Sequence, residues 1–247
     1  MKIAFLGTGH GIATPERYCS AALIETGGAI YYVDAGAPLF ERTEELGFDA
    51  EKVRALFTTH AHGDHICGIY QFADLLNWAR RFSETKCRFF ITERAVSEAL
   101  KNLVSITAKP LDGSRLSFEI AVSGTVYSDE NIRVTYFPTR HMEMQNRPSY
   151  SILIECEGKR VIFSGDMSQN LAKEDFPMAA YEECDLLVSE LAHFSVKELE
   201  TYLQKVGARA VAFSHVYPLT KYEEIEALRG KYSFDVLTPS DKDILTL

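Results

Sequence analysis

Short apolar runs alternate with longer amphipathic stretches along the whole chain. Runs rich in β-branched and aromatic residues, bounded by Gly, Asp, Asn or Pro, predict strands at 2–6, 21–25, 29–33, 53–58, 87–91, 115–120, 132–137, 150–156, 160–163, 185–189, 210–214 and 234–237. Stretches with apolar positions at helical spacing predict helices at 38–46, 69–81, 93–104, 171–181, 196–206 and 222–229. No linker or low-complexity segment interrupts the alternation, so one α/β domain over 1–247 is expected. The aromatic residues Tyr70, Phe72 and Trp78 fall within one helix and read as core rather than as a dimer surface, although a homodimer stays open.

The pattern repeats once. Residues 22–36 read ALIETGGAIYYVDAG and residues 152–166 read ILIECEGKRVIFSGD. Each is a strand ending in Leu-Ile-Glu, a turn with Gly, and a second strand running into an Asp/Gly corner. Each half later contains a strand that ends in a histidine, at His60 and at His215. Any two hairpins with similar turns can look alike. A duplicated half predicts more: two sheets packed face to face with helices outside, an αββα four-layer sandwich. Its site would lie where strand ends of both halves meet.

Composition narrows the class. Hydrophobic residues make up 46% and charged residues 25%, the balance of a soluble globular protein. A chain of this length buries enough surface to need no metal merely to hold its core. The net charge of −9, without a run of Lys or Arg, disfavours nucleic acid as partner. Five cysteines, none in a C-x-x-C pair, argue against a disulfide framework and against a thiolate zinc site. No stretch is apolar enough for a signal-peptide core or a membrane span, so a cytoplasmic protein is expected.

The strongest chemical signal is Thr58-Thr59-His60-Ala61-His62-Gly63-Asp64-His65, directly after a predicted strand. Three histidines and a carboxylate so close together cannot share an apolar interior without unpaired polar groups. A solvated loop would hold them harmlessly. A strand-to-helix corner spaced His-x-His-x-Asp-His suits metal better, with imidazole and carboxylate donors that fit zinc, manganese or iron.

That motif resembles the metallo-β-lactamase superfamily, and the likeness runs along nearly the full chain. The resemblance implies further ligands after later strands: His141, Asp166 in Phe163-Ser164-Gly165-Asp166, and His215 in Phe213-Ser214-His215. Taken singly, each is as readily a loop, capping or strand-end residue. The implied set is His60, His62, His141 and Asp166 for one cation and Asp64, His65, Asp166 and His215 for the second, with Asp166 and a water or hydroxide bridging. Two divalent ions are thus the implied cofactors, zinc foremost, with manganese and iron compatible. Asp34, in Val33-Asp34-Ala35-Gly36, is implied to support the metal loop. Secreted β-lactamases lack the Asp-His doublet and bridging Asp, so that activity is not expected.

The opening Phe5-Leu6-Gly7-Thr8-Gly9-His10-Gly11, with Pro15, Arg17 and Ser20, resembles the RNase Z branch and its small phosphodiesterase relatives. It is not a dinucleotide fingerprint, since Ile12 stands where a third spaced glycine belongs. In those phosphodiesterases a histidine placed like His193 sits beside the metals, which implies proton donation to the leaving alkoxide, with Glu190 orienting it. Asp64 and His193 are therefore the candidate catalytic residues. The Gly/Pro-rich arm of RNase Z has no counterpart; 82–131 reads as strand, helix and hairpin. The expected substrate is a small phosphodiester, such as a cyclic nucleotide or sugar phosphate diester. Alternatives are a thioesterase or lactonase of the glyoxalase II kind and a tRNA 3′-processing endonuclease. Arg140, Arg147 and Lys109 are candidate phosphate contacts, and His10 faces either pocket or solvent.

Overall fold

The fold is that of a computed structural model describing residues 1–171 and 175–247. The first half contains β1 (Lys2–Gly7), β2 (Ala21–Thr26), β3 (Ala29–Val33), α1 (Leu39–Glu45), β4 (Val53–Phe57), α2 (Gly63–Trp78), β5 (Cys87–Ile91), α3 (Arg94–Thr107) and β6 (Leu116–Ile120). The second contains β7 (Gly124–Ser128), β8 (Arg133–Thr139), β9 (Ser149–Cys156), β10 (Lys159–Phe163), β11 (Cys184–Leu191), α4 (Val196–Leu203), β12 (Ala208–Val216), α5 (Lys221–Glu226), β13 (Asp235–Leu237) and β14 (Ile244–Thr246). One sheet has the order β14-β1-β2-β3-β4-β5-β6 and the other β13-β12-β11-β10-β9-β8-β7.

Three apolar clusters show why these strands and helices form layers. Ile3, Phe5, Ile24, Tyr31, Phe57 and Tyr136 belong to the cluster between the two sheets, where both inner faces give up water. Leu23, Tyr32, Leu56, Ile69, Phe72 and Leu76 pack α1–α3 on one outer face. Leu187, Leu199, Leu203, Val211, Phe213 and Ile225 pack α4 and α5 on the other. The central strands are apolar on both faces because both faces are covered. This is the expected four-layer αββα sandwich.

The halves match in detail. From β1 to β6 the successive pairings are antiparallel, antiparallel, parallel, parallel, parallel. From β8 to β13 the same succession recurs. The strand in the position of β4 is thus β11, which ends at Glu190-Leu191; the histidine-bearing β12 lies one strand further. In consequence β1, β3 and β4 of one sheet, and β8, β10, β11 and β12 of the other, point their C-terminal ends toward one edge of the sandwich. Loops at such ends are held by rigid strands.

Four expectations need correction. The hairpin expected within 82–131 does not form: β6 pairs parallel with β5, whereas β7 crosses to the second sheet and pairs with β8. Helix α2 begins at Gly63, six residues before the apolar periodicity, because polar ligand-type side chains occupy its first turn. Trp78, at the end of α2, is 54% exposed, while Phe72 is core as expected. The helix expected over 171–181 falls partly on 172–174, outside the described residues; the described part holds a 3₁₀ turn at Met178–Tyr181. Among the described residues no helix is long and apolar enough to cross a membrane, and all five cysteines are free.

Candidate metal centre

The common edge brings together every histidine of the chain. His60 follows β4, and His62 caps α2, whose first turn carries Asp64 and His65. A carboxylate there faces the positive end of the helix dipole. His141 follows β8, Asp166 follows β10 and His193 follows β11. His215 lies within β12, where Ser189 pairs with Phe213 but Leu191 with Val216, so β12 carries an extra residue. His215 has a φ of 57°, and this bulge turns its ring into the site. Gly165 also needs its positive φ of 57° to direct Asp166 inward.

Among the described residues two groups of donor atoms that share no residue result, each gathered within 4.8 Å: His60, His62, His141 and Asp166, and Asp64, His65 and His215; a third, Asp166, His193 and His215, overlaps both. Asp166 joins them. Its Oδ2 lies 3.7 Å from both His60 Nε2 and His141 Nε2 and 3.4 Å from His215 Nε2. Its Oδ1 lies 3.4 Å from His65 Nε2. Asp64 Oδ2 is 3.6 Å from His65 Nε2 and 3.9 Å from His215 Nε2.

Five of the rings are held by the nitrogen that faces away from the centre. His60 Nδ1 meets Thr59 Oγ1 at 3.1 Å, His65 Nδ1 meets Asp34 Oδ2 at 2.8 Å, and His141 Nδ1 meets the Met167 carbonyl at 3.2 Å. His215 Nδ1 meets Ser20 Oγ at 2.8 Å, and His193 Nδ1 lies 2.9 Å from both Glu190 oxygens. All five thus present Nε2 to the centre. His62 alone presents Nδ1, 3.0 Å from His60 Nε2 and 3.2 Å from His141 Nε2. Such outer partners orient ligating imidazoles.

The donor set fits cations and little else. His65 Nε2, His215 Nε2 and Asp166 Oδ1 are buried without a hydrogen-bond partner, although buried polar atoms are normally paired. Burial holds His60 well below the usual imidazole range and also lowers His62 and His141. Burial opposes charge on His65 as well, but the Asp166 and Asp34 carboxylates outweigh it and raise its pKa far above the usual value. Burial would raise Asp166, yet His215, His65 and His60 hold it well below the carboxylate range. Imidazoles around an ionised carboxylate are the donors zinc, manganese and iron accept, and a cation bound there would take the place of the proton that His65 holds.

Supporting residues come from further away. Asp34, at a φ of 58°, accepts the Thr59 amide at 2.7 Å and the Thr59 hydroxyl at 2.9 Å. The loop after it touches α2 so closely that a Cβ at Gly36 would lie 1.9 Å from the Asp64 carbonyl oxygen. The Gly36→Ala variant is therefore expected to lose about 1–3 kcal/mol in a denaturant titration and to bind metal more weakly, since the Asp64 turn must move. Asp175 accepts the amides of Arg140 and Ser168, both at 2.7 Å, and so ties the His141 loop to the Asp166 loop. Glu190 accepts the amides of Met167 at 2.6 Å, Ala192 at 2.8 Å and His193 at 3.2 Å. Thr59, Ser20 and Asp175 carried no sequence signal for these contacts.

His193 stands at the rim, its Nε2 3.9 Å from Asp166 Oδ2. Burial works against its charge, but the Glu190 hydrogen bonds and charge raise its pKa to about 9. His10 faces the site: its ring stacks on Tyr217 at 4.6 Å and lies 5.1 Å from that of His215. Among the candidate phosphate contacts, Arg147 is paired with Glu93 at 2.7 Å. Arg140 adjoins His141, whereas Lys109 lies beyond the end of α3.

A family model described as anti-Pycsar protein Apyc1 matches residues 1–234. The chain belongs to the Apyc1 family. It is 24% identical over 254 residues to ribonuclease Z of Mycobacterium marinum, covering 88% of this chain and 87% of that one. The metallo-β-lactamase fold protein YhfI of Bacillus subtilis superposes with a TM-score of 0.75 at 18% identity, over 99% of this chain and 98% of that one. A diphosphatase of the PhnP family superposes with a TM-score of 0.74 at 15% identity, over 100% of this chain and 97% of that one. This Apyc1-family chain therefore has the metallo-β-lactamase fold and is similar in sequence to ribonuclease Z.

Proposed function

We propose that the protein is a two-metal hydrolase of small phosphodiesters. The observation that carries the reading is His193, whose Nε2 faces Asp166 at 3.9 Å while Glu190 grips its Nδ1 at 2.9 Å. An alkoxide leaves phosphorus with difficulty unless it receives a proton, whereas a thiolate leaves readily without one. A proton-holding imidazole beside a two-cation donor set therefore favours a phosphodiester over a thioester. The names of the ribonuclease Z and diphosphatase relatives, both cleavers of bonds to phosphorus, are consistent with this.

His60, His62, His141 and Asp166 would hold one divalent cation, and Asp64, His65, Asp166 and His215 the other, with zinc foremost. Two cations bound there would supply Lewis acidity at a phosphoryl oxygen and make water a nucleophile near neutral pH. The chain's own residues then act as follows. Asp64, at 19% side-chain exposure against 3% for Asp166, faces the open side, orients the attacking water and accepts its proton. His193 gives its Nε2 proton to the leaving oxygen as the P–O bond breaks and the bonding pair stays on that oxygen. Glu190 holds the imidazolium before transfer.

A small substrate is favoured by the net charge of −9, and by 87–128, which forms β5, α3, β6 and β7 rather than an extended arm. The ribonuclease Z likeness supports a second reading, cleavage of precursor tRNA, which a labelled precursor tests directly.

The test of His193 uses methyl aryl phosphodiesters of rising leaving-group pKa. The His193→Ala enzyme should keep its full metal content and slow about 10²- to 10⁴-fold on the poorest leaving groups. On bis(p-nitrophenyl) phosphate it should slow only a few-fold. Equal losses across the series would contradict proton donation.

A further inference from the structure

The loop that carries His193 is held from two sides by opposite charges. On one side, Glu190 accepts the amides of Ala192 and His193 at 2.8 and 3.2 Å. On the other, the Lys221 ammonium, from the first residue of α5, donates to three main-chain carbonyls: Leu191 at 3.0 Å, Ala192 at 3.3 Å and Phe194 at 2.6 Å. An ammonium has three protons, and each of the three here has an acceptor in the loop around His193. Among the described residues Lys221 forms no ion pair. Its side chain is partly buried, and burial lowers its pKa.

The arrangement has a chemical reason. The segment 192–194 is neither helix nor strand, so its carbonyls have no ladder partners. A loop left to water would let the imidazole wander. A displacement of about 1 Å at a reacting group can cost about 10²-fold in rate. Glu190 fixes the ring and the loop amides; something must fix the loop carbonyls, and charge-assisted hydrogen bonds are the strong kind. Leu191 also accepts the Tyr217 amide at 3.4 Å, so the same loop is tied to the end of β12.

We propose that Lys221 is a positioning residue for His193, clamping the Leu191–Phe194 carbonyls so that the imidazole meets the leaving oxygen of the substrate. The inference rests on the reading of His193 as proton donor. The Lys221 ammonium is spent on main-chain carbonyls, so it acts through the loop.

The test measures leaving-group dependence with the metal-loaded full chain and methyl aryl phosphodiesters. Lys221→Met, similar in length and without donors, should keep two metals per chain. It should fall about 10- to 100-fold on the poorest leaving group, and no more than a few-fold on bis(p-nitrophenyl) phosphate. Lys221→Met combined with His193→Ala should be no slower than His193→Ala alone. A uniform loss across the series, or a fully additive double variant, would overturn the proposal. If His193→Ala itself shows no leaving-group dependence, the donor reading fails first; if it does and Lys221→Met does not, only the Lys221 proposal fails. Should Lys221→Met not fold by circular dichroism, Lys221→Leu, which likewise has no donor, reads the same slope, and an unchanged slope there would equally overturn it.

Discussion

The Asp166→Asn enzyme is expected to lose phosphodiesterase activity by about three orders of magnitude or more, and to retain at most one metal ion per chain by elemental analysis. The reason is position. Asp166 is the one carboxylate among the described residues within 3.4–3.9 Å of His60, His65, His141, His193 and His215. Each donor group contributes imidazoles, but both rely on Asp166 for negative charge at their junction. An amide keeps shape and volume but supplies no charge and one acceptor in place of two. The variant should fold, since the Asp166 side chain serves no layer of the core. Two metals per chain with near wild-type turnover would show that the centre is assigned wrongly.

Asp34→Asn should act on both stability and metal affinity. Asp34 is 5% exposed and accepts from Thr59 N, Thr59 Oγ1 and His65 Nδ1. Removing one partner of a buried charged pair costs about 3–5 kcal/mol, and Asn, keeping one acceptor and tolerating positive φ, should stand at the low end. Loss of the outer partner of a ligating histidine typically weakens metal binding about 10- to 100-fold. Denaturant titrations with and without chelator separate the two effects. The variant should remain destabilised in chelator, because the Thr59 contacts do not depend on metal. A variant as stable as wild type in chelator would mean that Asp34 serves the metal alone.

How much of this was legible in the sequence depended on distance along the chain. His60, His62, Asp64 and His65 sit within six positions, so their chemistry is visible without a fold. His141, Asp166 and His215 are scattered loop or strand-end residues, and only their order in a known family singled them out. Of the supporting contacts only those of Asp34 and Glu190 were implied, by the same resemblance; the others were not legible, since Ser20 reaches His215 across 195 positions and Lys221 reaches Leu191 across 30. Strand patterns located twelve strands and missed β7 and β14. Those two are short, and most of their residues are at least partly exposed. Helix α2 was read six residues too late for a functional reason. Ligand-type residues replace apolar ones in its first turn, so the periodicity begins only at Ile69. The 82–131 hairpin failed because turn signals mark a change of direction without saying which sheet the next strand joins.

The central claim is phosphodiester hydrolysis at a two-cation centre. Its most direct test is turnover of bis(p-nitrophenyl) phosphate by metal-stripped protein reloaded separately with zinc, manganese or iron, beside a thioester of the glyoxalase II type. The account predicts phosphodiester cleavage that rises with metal up to two equivalents, and no comparable thioester cleavage. Thioester cleavage alone, or phosphodiester cleavage that survives complete removal of metal, would contradict it.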